Sequence, residues 1–251
     1  MKRIIIAFAF CILSACSDKE QSSVPLAPPQ PMEVAASTSP ATTATPQIVP
    51  RELTELERNE PGEIEKSENL VARKGQALSL RLLSGKWLYL TNLETCDVYE
   101  NCLFYTYRGL VVDKQFFLVN ATYYEGGSVF IISRKTGEQV DVINDPHISP
   151  DGRYIASAND AEAHDDAGVF LWEISDGVLI SRFHFVPTDY QLYKFIRWID
   201  PHKVELLKTA WPSNDLCPEN TLAEYLMILG EKNGTWTLEA APDKGRCLTK
   251  Q

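Results

Sequence analysis

Two short runs of sequence decide the fold of this chain: HISPDGRYIA at residues 147–156 and VFLWEI at residues 169–174. Each run contains the branched and aromatic residues that favour extended strands. Turn residues such as Pro150 and Gly152 punctuate the strand-like runs of this chain every 8–12 positions, which is typical of an all-β domain. The two runs therefore predict two strands joined by a turn, followed by a third strand.

The same arrangement recurs before and after these runs. Three apolar strands each end in a turn closed by glycine: Val129–Ile132 before Gly137, Val169–Trp172 before Gly177, and Tyr225–Ile228 before Gly234. The last two glycines follow Asp and Asn, and such dipeptides favour the left-handed backbone that two-residue hairpins need. The turn glycines lie 40 and then 57 residues apart.

Each of these hairpins has a matching pair of strands upstream. Residues 148–156 correspond to residues 198–206, and residues 112–118 are a weaker counterpart. The extra length of the last unit falls mostly between Trp211 and Leu222, which predicts a loop insertion there. The sequence thus predicts an all-β domain of about three four-stranded units. The strands at residues 78–83 and 87–91 would form a partial unit before them.

The segment 147–156, with the strand 169–174, resembles a blade of the WD-repeat and TolB-like β-propellers. In those families the Ser-Pro-Asp-Gly segment forms the turn between the first two strands, and the strand with the tryptophan, here Trp172, is the third. The resemblance is faint over the other two units and absent before Trp87. It implies a small or incomplete β-propeller, since four blades are the usual minimum for a ring. A sandwich built from similar hairpins is the alternative.

The start of the chain carries a second pattern. Two basic residues precede an apolar stretch, residues 4–13, which is shorter than the ~20 residues of a membrane-spanning helix and suits a signal peptide. The sequence LSAC at residues 13–16 resembles the lipobox of bacterial lipoproteins. That resemblance implies a signal peptide at residues 1–15, cleavage before Cys16 and acylation of its thiol. An ordinary secretory signal is the alternative.

The residue after Cys16 is Ser17 rather than aspartate. By resemblance to lipoproteins of bacteria with two membranes, this favours a lipid anchor in the outer membrane, on its periplasmic face, over one in the inner membrane. Two acyl chains or more hold a protein on a membrane stably.

A tether is predicted between the lipid and the β-domain. Residues 17–50 contain seven prolines and no glycine, a composition that favours an extended, disordered chain. Residues 51–68 hold seven glutamates against three basic residues, which predicts a solvated charge run with a short helix that Pro61 and Gly62 end. We therefore divide the chain into a signal peptide (1–15), a lipidated and then acidic linker (16–68) and a β-repeat domain (69–251).

Four cysteines lie in the predicted β-domain: Cys96, Cys102, Cys217 and Cys247. An even number in an exported protein predicts two disulfides. Sequence proximity favours Cys96–Cys102 and Cys217–Cys247, although the three possible pairings remain open. Zinc binding is the alternative, but the cysteines lack the close spacing of a zinc site.

Charge and motifs limit the chemistry. The formal net charge is −10, from 34 acidic and 24 basic residues, which argues against a nucleic-acid surface. The sequence has no glycine-rich phosphate loop, no Gly-x-Ser-x-Gly and no His-Glu-x-x-His.

His147 and His202 are expected at turns or on the surface. The acidic segment 160–166 could hold calcium but lacks the glycine and distal glutamate of known loops, so a solvated hairpin loop is expected. We expect no cofactor, no metal and no catalysis.

Aromatic residues in loops are the remaining candidates for a binding site. Tyr99 lies between two cysteines, Tyr123 and Tyr124 stand before Glu-Gly-Gly, and Trp211 precedes a proline. Tyrosine and tryptophan often mark contact surfaces, because they lose little entropy on binding. The alternative is that these side chains cover the ends of the core.

These features predict an outer-membrane-anchored, periplasmic lipoprotein that acts without catalysis by binding an unidentified envelope protein. Repeat β-folds commonly serve as platforms for partners, which is an argument from fold. Two alternatives are an inhibitor or immunity lipoprotein directed against a toxin or muramidase, and a metal-dependent envelope hydrolase that uses the segment 160–166.

Overall fold

The alternation of apolar strands and glycine turns produces consecutive antiparallel sheets. The structure, a computed structural model, describes residues 53–94, 102–124, 126–160, 168–212, 217–218, 221–242 and 245–248. Within these ranges the chain forms one helix and seventeen strands, which assemble into four sheets. Each sheet is built from one continuous segment of sequence, and its strands pair in an antiparallel manner. The domain is therefore all-β and β-propeller-like, with three larger sheets after a smaller one.

The first sheet is the predicted partial unit. Its strands are β1 (Val71–Lys74), β2 (Ala77–Arg81) and β3 (Trp87–Thr91), in the order β1-β2-β3. Leu78 and Leu80 are fully buried, whereas Tyr89, on the opposite face, is exposed. Successive side chains of a strand point to opposite faces of the sheet. One face of this sheet therefore packs against the core, and the other is open to solvent.

The three larger sheets follow in chain order. The second has the order β4-β5-β6-β7-β8 and comprises β4 (Leu93–Glu94), β5 (Cys102–Val111), β6 (Phe116–Tyr123), β7 (Gly126–Ser133) and β8 (Gln139–Asp141). The third has the order β12-β11-β10-β9 and comprises β9 (His147–Ile148), β10 (Tyr154–Asn159), β11 (Gly168–Ser175) and β12 (Val178–Phe185). The fourth has the order β13-β14-β15-β16 and comprises β13 (Gln191–Asp200), β14 (Lys203–Ala210), β15 (Ala223–Lys232) and β16 (Thr235–Ala240), with β17 (Arg246–Cys247) also paired to β15.

The predicted glycine turns join the strands of these sheets. Asp176 and Gly177 have φ angles of 50° and 75°, and Asn233 and Gly234 have φ angles of 54° and 78°. Both residues of each pair thus adopt the left-handed backbone that a two-residue hairpin requires. The predicted loop insertion is confirmed as the connection between β14 and β15.

Three hydrophobic clusters stack the sheets in sequence order. Tyr107 and Phe117 of the second sheet pack with Leu80 of the first. A second cluster joins the second and third sheets, and a third cluster joins the third and fourth sheets. Among the described residues, none of these clusters joins the first sheet to the fourth. The sheets therefore pack face to face as successive propeller blades do.

One helix, α1 (Glu55–Lys66), precedes the sheets and packs against β5. Its first turn is fixed by a capping box: the Thr54 side chain accepts from the backbone N–H of Glu57, whose carboxylate accepts from the backbone N–H of Thr54. The prediction that Pro61 and Gly62 end the helix is wrong, because α1 continues through both to Lys66. Ile64 packs against the hydrophobic cluster shared by the first and second sheets, and this contact holds the last turn of α1 in place.

Candidate functional site

The structure places three of the four predicted aromatic residues. Tyr123 ends β6, Tyr124 follows it, and Trp211 follows β14; all three are exposed. Tyr123 and Tyr124 belong to the second sheet and Trp211 to the fourth, and the third sheet packs between these two. The predicted residues therefore lie on two different sheets. The prediction for Tyr99 concerns a residue outside the described ranges.

Trp211 forms a surface with Tyr190, which we call the Trp211 surface. The two rings are 6.4 Å apart between centroids and inclined by 43°. Tyr190 comes from the connection between β12 and β13, in which Val186 is also exposed. An exposed pair of large aromatic side chains offers apolar area with a polar edge, which suits contact with another protein.

A polar network lies beside the Trp211 surface. The hydroxyl of Tyr193 donates to Gln191 Oε1 at 2.8 Å, and Gln191 Nε2 donates to Asp189 Oδ1 at 2.6 Å. Burial, with the charge of Asp189, raises the pKa of Tyr193 to about 12, so its hydroxyl stays a donor at neutral pH. Lys208 of β14 lies opposite Tyr193. Burial lowers the pKa of Lys208, and the charge of Asp189 opposes this shift. The network fixes the start of β13, directly after Tyr190.

A disulfide lies in the connection that follows Trp211. Cys217 is bonded to Cys247 of β17 and belongs to the connection that Trp211 begins. This is the pairing favoured by sequence proximity. Cys102 is also disulfide-bonded. The predictions for Cys96 and for acylation of Cys16 concern residues outside the described ranges.

A second candidate is a polar pocket of about 390 Å³ beside the second sheet, which we call the Arg108 pocket. Arg108 Nη1 donates to Asp145 Oδ1 at 2.5 Å and to Asn120 Oδ1 at 3.2 Å. Leu56 of α1 and Val129 of β7 contribute apolar surface to the pocket. Sequence reasoning missed this site, although Arg108 and Gly109 interrupt an apolar strand. Gly109 has a φ of 138° at an irregularity of register, and a glycine within a strand is a signal for such a bulge.

The three histidines within the described ranges, His147, His184 and His202, each pack against a different aromatic ring. His147 is half-buried and stacks on Phe195 at 3.6 Å between ring centroids, so the expectation of a surface or turn position holds only for His202. His202 is exposed, and its Nδ1 lies 2.6 Å from Glu231 Oε2. Among the described residues, no group of three or more His, Cys, Asp or Glu side chains is arranged to hold a metal ion. Of the acidic segment 160–166, only Asp160 lies within the described ranges.

The described part of the chain contains no helix that is both long enough and apolar enough to cross a membrane. No family model matches the sequence, and no curated protein sequence matches it.

Two solved structures are remotely similar. TolB from Acinetobacter baumannii has 11% identity and a TM-score of 0.31, over 67% of this chain and 38% of that chain. The N-terminal domain of Nup159 has 11% identity and a TM-score of 0.29, over 69% of this chain and 47% of that chain. The chain thus spans less than half the length of either.

Proposed function

We propose that this chain is an outer-membrane-anchored periplasmic lipoprotein that binds another envelope protein through the Trp211 surface, without catalysing a reaction. The observation that carries the proposal is the exposed Trp211–Tyr190 pair, which lies beside a polar network. Because hydrogen bonds hold the segment directly after Tyr190, the Tyr190 ring loses little freedom when a partner covers it. Aromatic anchors of this kind supply most of the binding energy in many interfaces.

Crosslinking in the native envelope tests the binding half of the proposal. We compare the wild-type chain with Trp211→Ala and, as a matched control, with Trp87→Ala, which removes an exposed tryptophan from the first sheet. We expect one envelope protein to crosslink to the wild type and to the control, and about tenfold less of it to Trp211→Ala, as for an interface hot spot. Equal recovery with all three chains would contradict the use of this surface.

The anchoring half rests on the LSAC sequence that ends at Cys16. We expect the mature chain to partition with outer membranes and to carry acyl chains on Cys16, as mass spectrometry of its amino-terminal peptide can measure. Cys16→Ala should leave the chain unprocessed or released. A Cys16→Ala chain that is still cleaved and still membrane-bound would refute the anchor.

A further inference from the structure

The Arg108 pocket presents hydrogen-bond donors that the described residues do not use. The Arg108 side chain is only 21% exposed, and its Nη1 is occupied by Asp145 and Asn120. Its Nε and Nη2 have no hydrogen-bond partner among the described residues, and neither has the Asn120 amide nitrogen. None of these atoms is fully buried, since Arg134 Nε is the one fully buried, unpaired side-chain nitrogen in the described ranges. They therefore keep access to a ligand.

A strained turn forms one wall of this pocket. Ile143 has a φ of 64°, which is rare for a β-branched residue, and the backbone N–H of Asn144 donates to the carbonyl of Val142 at 2.7 Å. The turn is held from outside, because Ser157 Oγ donates to the carbonyl of Val142 at 2.5 Å. Such strain persists only where the surroundings enforce it, and it occurs preferentially at functional sites.

Asp145 indicates which chemical group the pocket accepts. Its carboxylate already bonds to Arg108, yet its side chain is 59% exposed and so can move away without leaving a buried charge. When Asp145 moves away, Arg108 presents one positive charge, which suits a single negative charge better than a dianionic phosphate. A carboxylate can bond to two neighbouring donors at once, and the Arg108 guanidinium and the Asn120 amide are such a pair.

The rest of the lining suits a short peptide. Leu56, Val129 and Ile143 provide apolar contacts for a small side chain. A volume of about 390 Å³ has room for about two small residues.

We propose that the Arg108 pocket binds the terminal carboxylate of a short peptide, with Arg108 and Asn120 as donors and Asp145 as an internal carboxylate that the ligand displaces. The site lies on the second sheet, apart from the Trp211 surface, and the proposal does not depend on the function proposed above.

The test uses N-acetyl-alanyl-alanine as the probe, titrated into the folded domain and followed by NMR chemical shifts. We expect millimolar binding, and at least tenfold weaker binding of the same peptide with a carboxamide terminus and of acetate alone. Equal binding of the carboxamide would overturn the role of the carboxylate. Equal binding of acetate would reduce the site to a simple anion site and overturn the peptide assignment.

Two variants break the same ion pair with opposite expected results. Arg108→Gln should weaken binding of the peptide at least tenfold, whereas Asp145→Asn should strengthen it several-fold by removing the competitor. Arg197→Gln, which breaks an exposed ion pair with Glu205 on the fourth sheet, is the control and should leave affinity unchanged. Because Asp145 is exposed, its variant should fold even if Arg108→Gln does not. Weaker binding by Asp145→Asn, or no binding by either the wild type or Asp145→Asn, would overturn the proposal.

Discussion

The carboxylate of Glu60 accepts three hydrogen bonds that join α1 to two sheets. Arg73 Nε and Nη2 of β1 donate at 2.5 Å and 2.7 Å, and the backbone N–H of Tyr107 in β5 donates at 2.7 Å. Glu60 is buried, in contrast to the solvated charge run that its neighbours in the sequence predict. Composition could not identify this residue, since its partners lie 13 and 47 positions away.

Removing this carboxylate should destabilise the domain strongly. We expect Glu60→Ala to lower the free energy of unfolding by about 3 kcal/mol, because Arg73 and the Tyr107 N–H lose their acceptor while largely buried. Glu65→Ala removes an exposed glutamate from the same helix and should change it by less than about 0.5 kcal/mol. Urea denaturation of both variants measures the difference. Similar midpoints for the two would show that α1 is not held through Glu60.

His147 makes the stability of the domain depend on pH. Burial lowers its pKa below the ordinary value of 6.5, and the charge of Asp145 opposes this shift. The unfolded chain therefore binds a proton near pH 6.5 that the folded chain takes up only at lower pH. Above pH 6.5 the neutral His147 ring contributes its full stabilisation. This contribution is lost as the pH falls from 6.5 towards the lowered pKa of the folded chain.

Replacing His147 should remove this pH-dependent contribution to the stability of the domain. We expect the difference in unfolding free energy between the wild type and His147→Gln to shrink as pH is lowered from 8 to 5. His184→Gln, which removes a ring packed edge-on against Phe170, serves as the control for loss of an aromatic contact. Thermal or urea unfolding across this pH range measures both. A difference for His147→Gln that stays constant with pH would contradict the assignment.

At the scale of the elements, the strands and their turns were predictable because their signals are local. Asp176-Gly177 and Asn233-Gly234 specify their own backbone geometry, and the apolar runs beside them specify the strands. The continuation of α1 past Pro61 was not predictable, since it depends on contacts with β1 and β5 that lie outside the helix. The neighbouring sheets outweigh a local helix-breaking signal here.

The start of β11 is a place where the sheet requires a residue without a side chain. A Cβ added at Gly168 would lie 2.2 Å from the carbonyl oxygen of Phe185 in β12 and 3.1 Å from the Phe170 ring. The backbone would have to move. We therefore expect Gly168→Ala to lower the free energy of unfolding by about 2 kcal/mol.

A second glycine supplies the matched control. Gly230 in β15 has only one side-chain atom near the same position, at 3.9 Å, and no left-handed backbone angle. Gly230→Ala should be neutral or stabilising by about 0.5 kcal/mol, since alanine restricts the unfolded chain more than glycine does. Urea denaturation compares the two variants. Equal destabilisation by both would contradict the close approach of β12 to Gly168.

At the scale of the whole domain, the third sheet is covered on both faces. Ala156 and Leu171 face the fourth sheet, whereas Ile155 and Phe170 face the second. The first sheet belongs to one cluster only, and its Tyr89 is exposed on the other face. Local stability should therefore be highest in the interior of the stack.

Hydrogen exchange measures this gradient. We expect the backbone amides of β10 and β11 to exchange slowest under native conditions and those of β1 to β3 to exchange faster, since protection follows burial of the surrounding contacts. The amides of β13 and β16 should lie between them. Uniform protection across the four sheets would indicate that the first sheet has a second cover.

The two candidate sites differ in how far the sequence predicts them. Trp211 stands at the start of the predicted loop insertion, so its exposure follows from features that can be read along the chain. The Arg108 pocket depends on a bulge in β5 and on a strained turn at Ile143, which come together only when the second and third sheets stack. No local sequence pattern predicts that the bulge and the strained turn lie side by side.

The attachment of α1 also has a mechanical consequence. Any pull transmitted along the amino-terminal segment reaches α1 before it reaches β1, because α1 precedes the described strands. The three hydrogen bonds to Glu60 end on one carboxylate, so they resist the load jointly and fail together. If the chain is tethered as we propose, tension would detach the helix first and leave the sheets intact. The ion pair then sets the force at which the domain begins to yield.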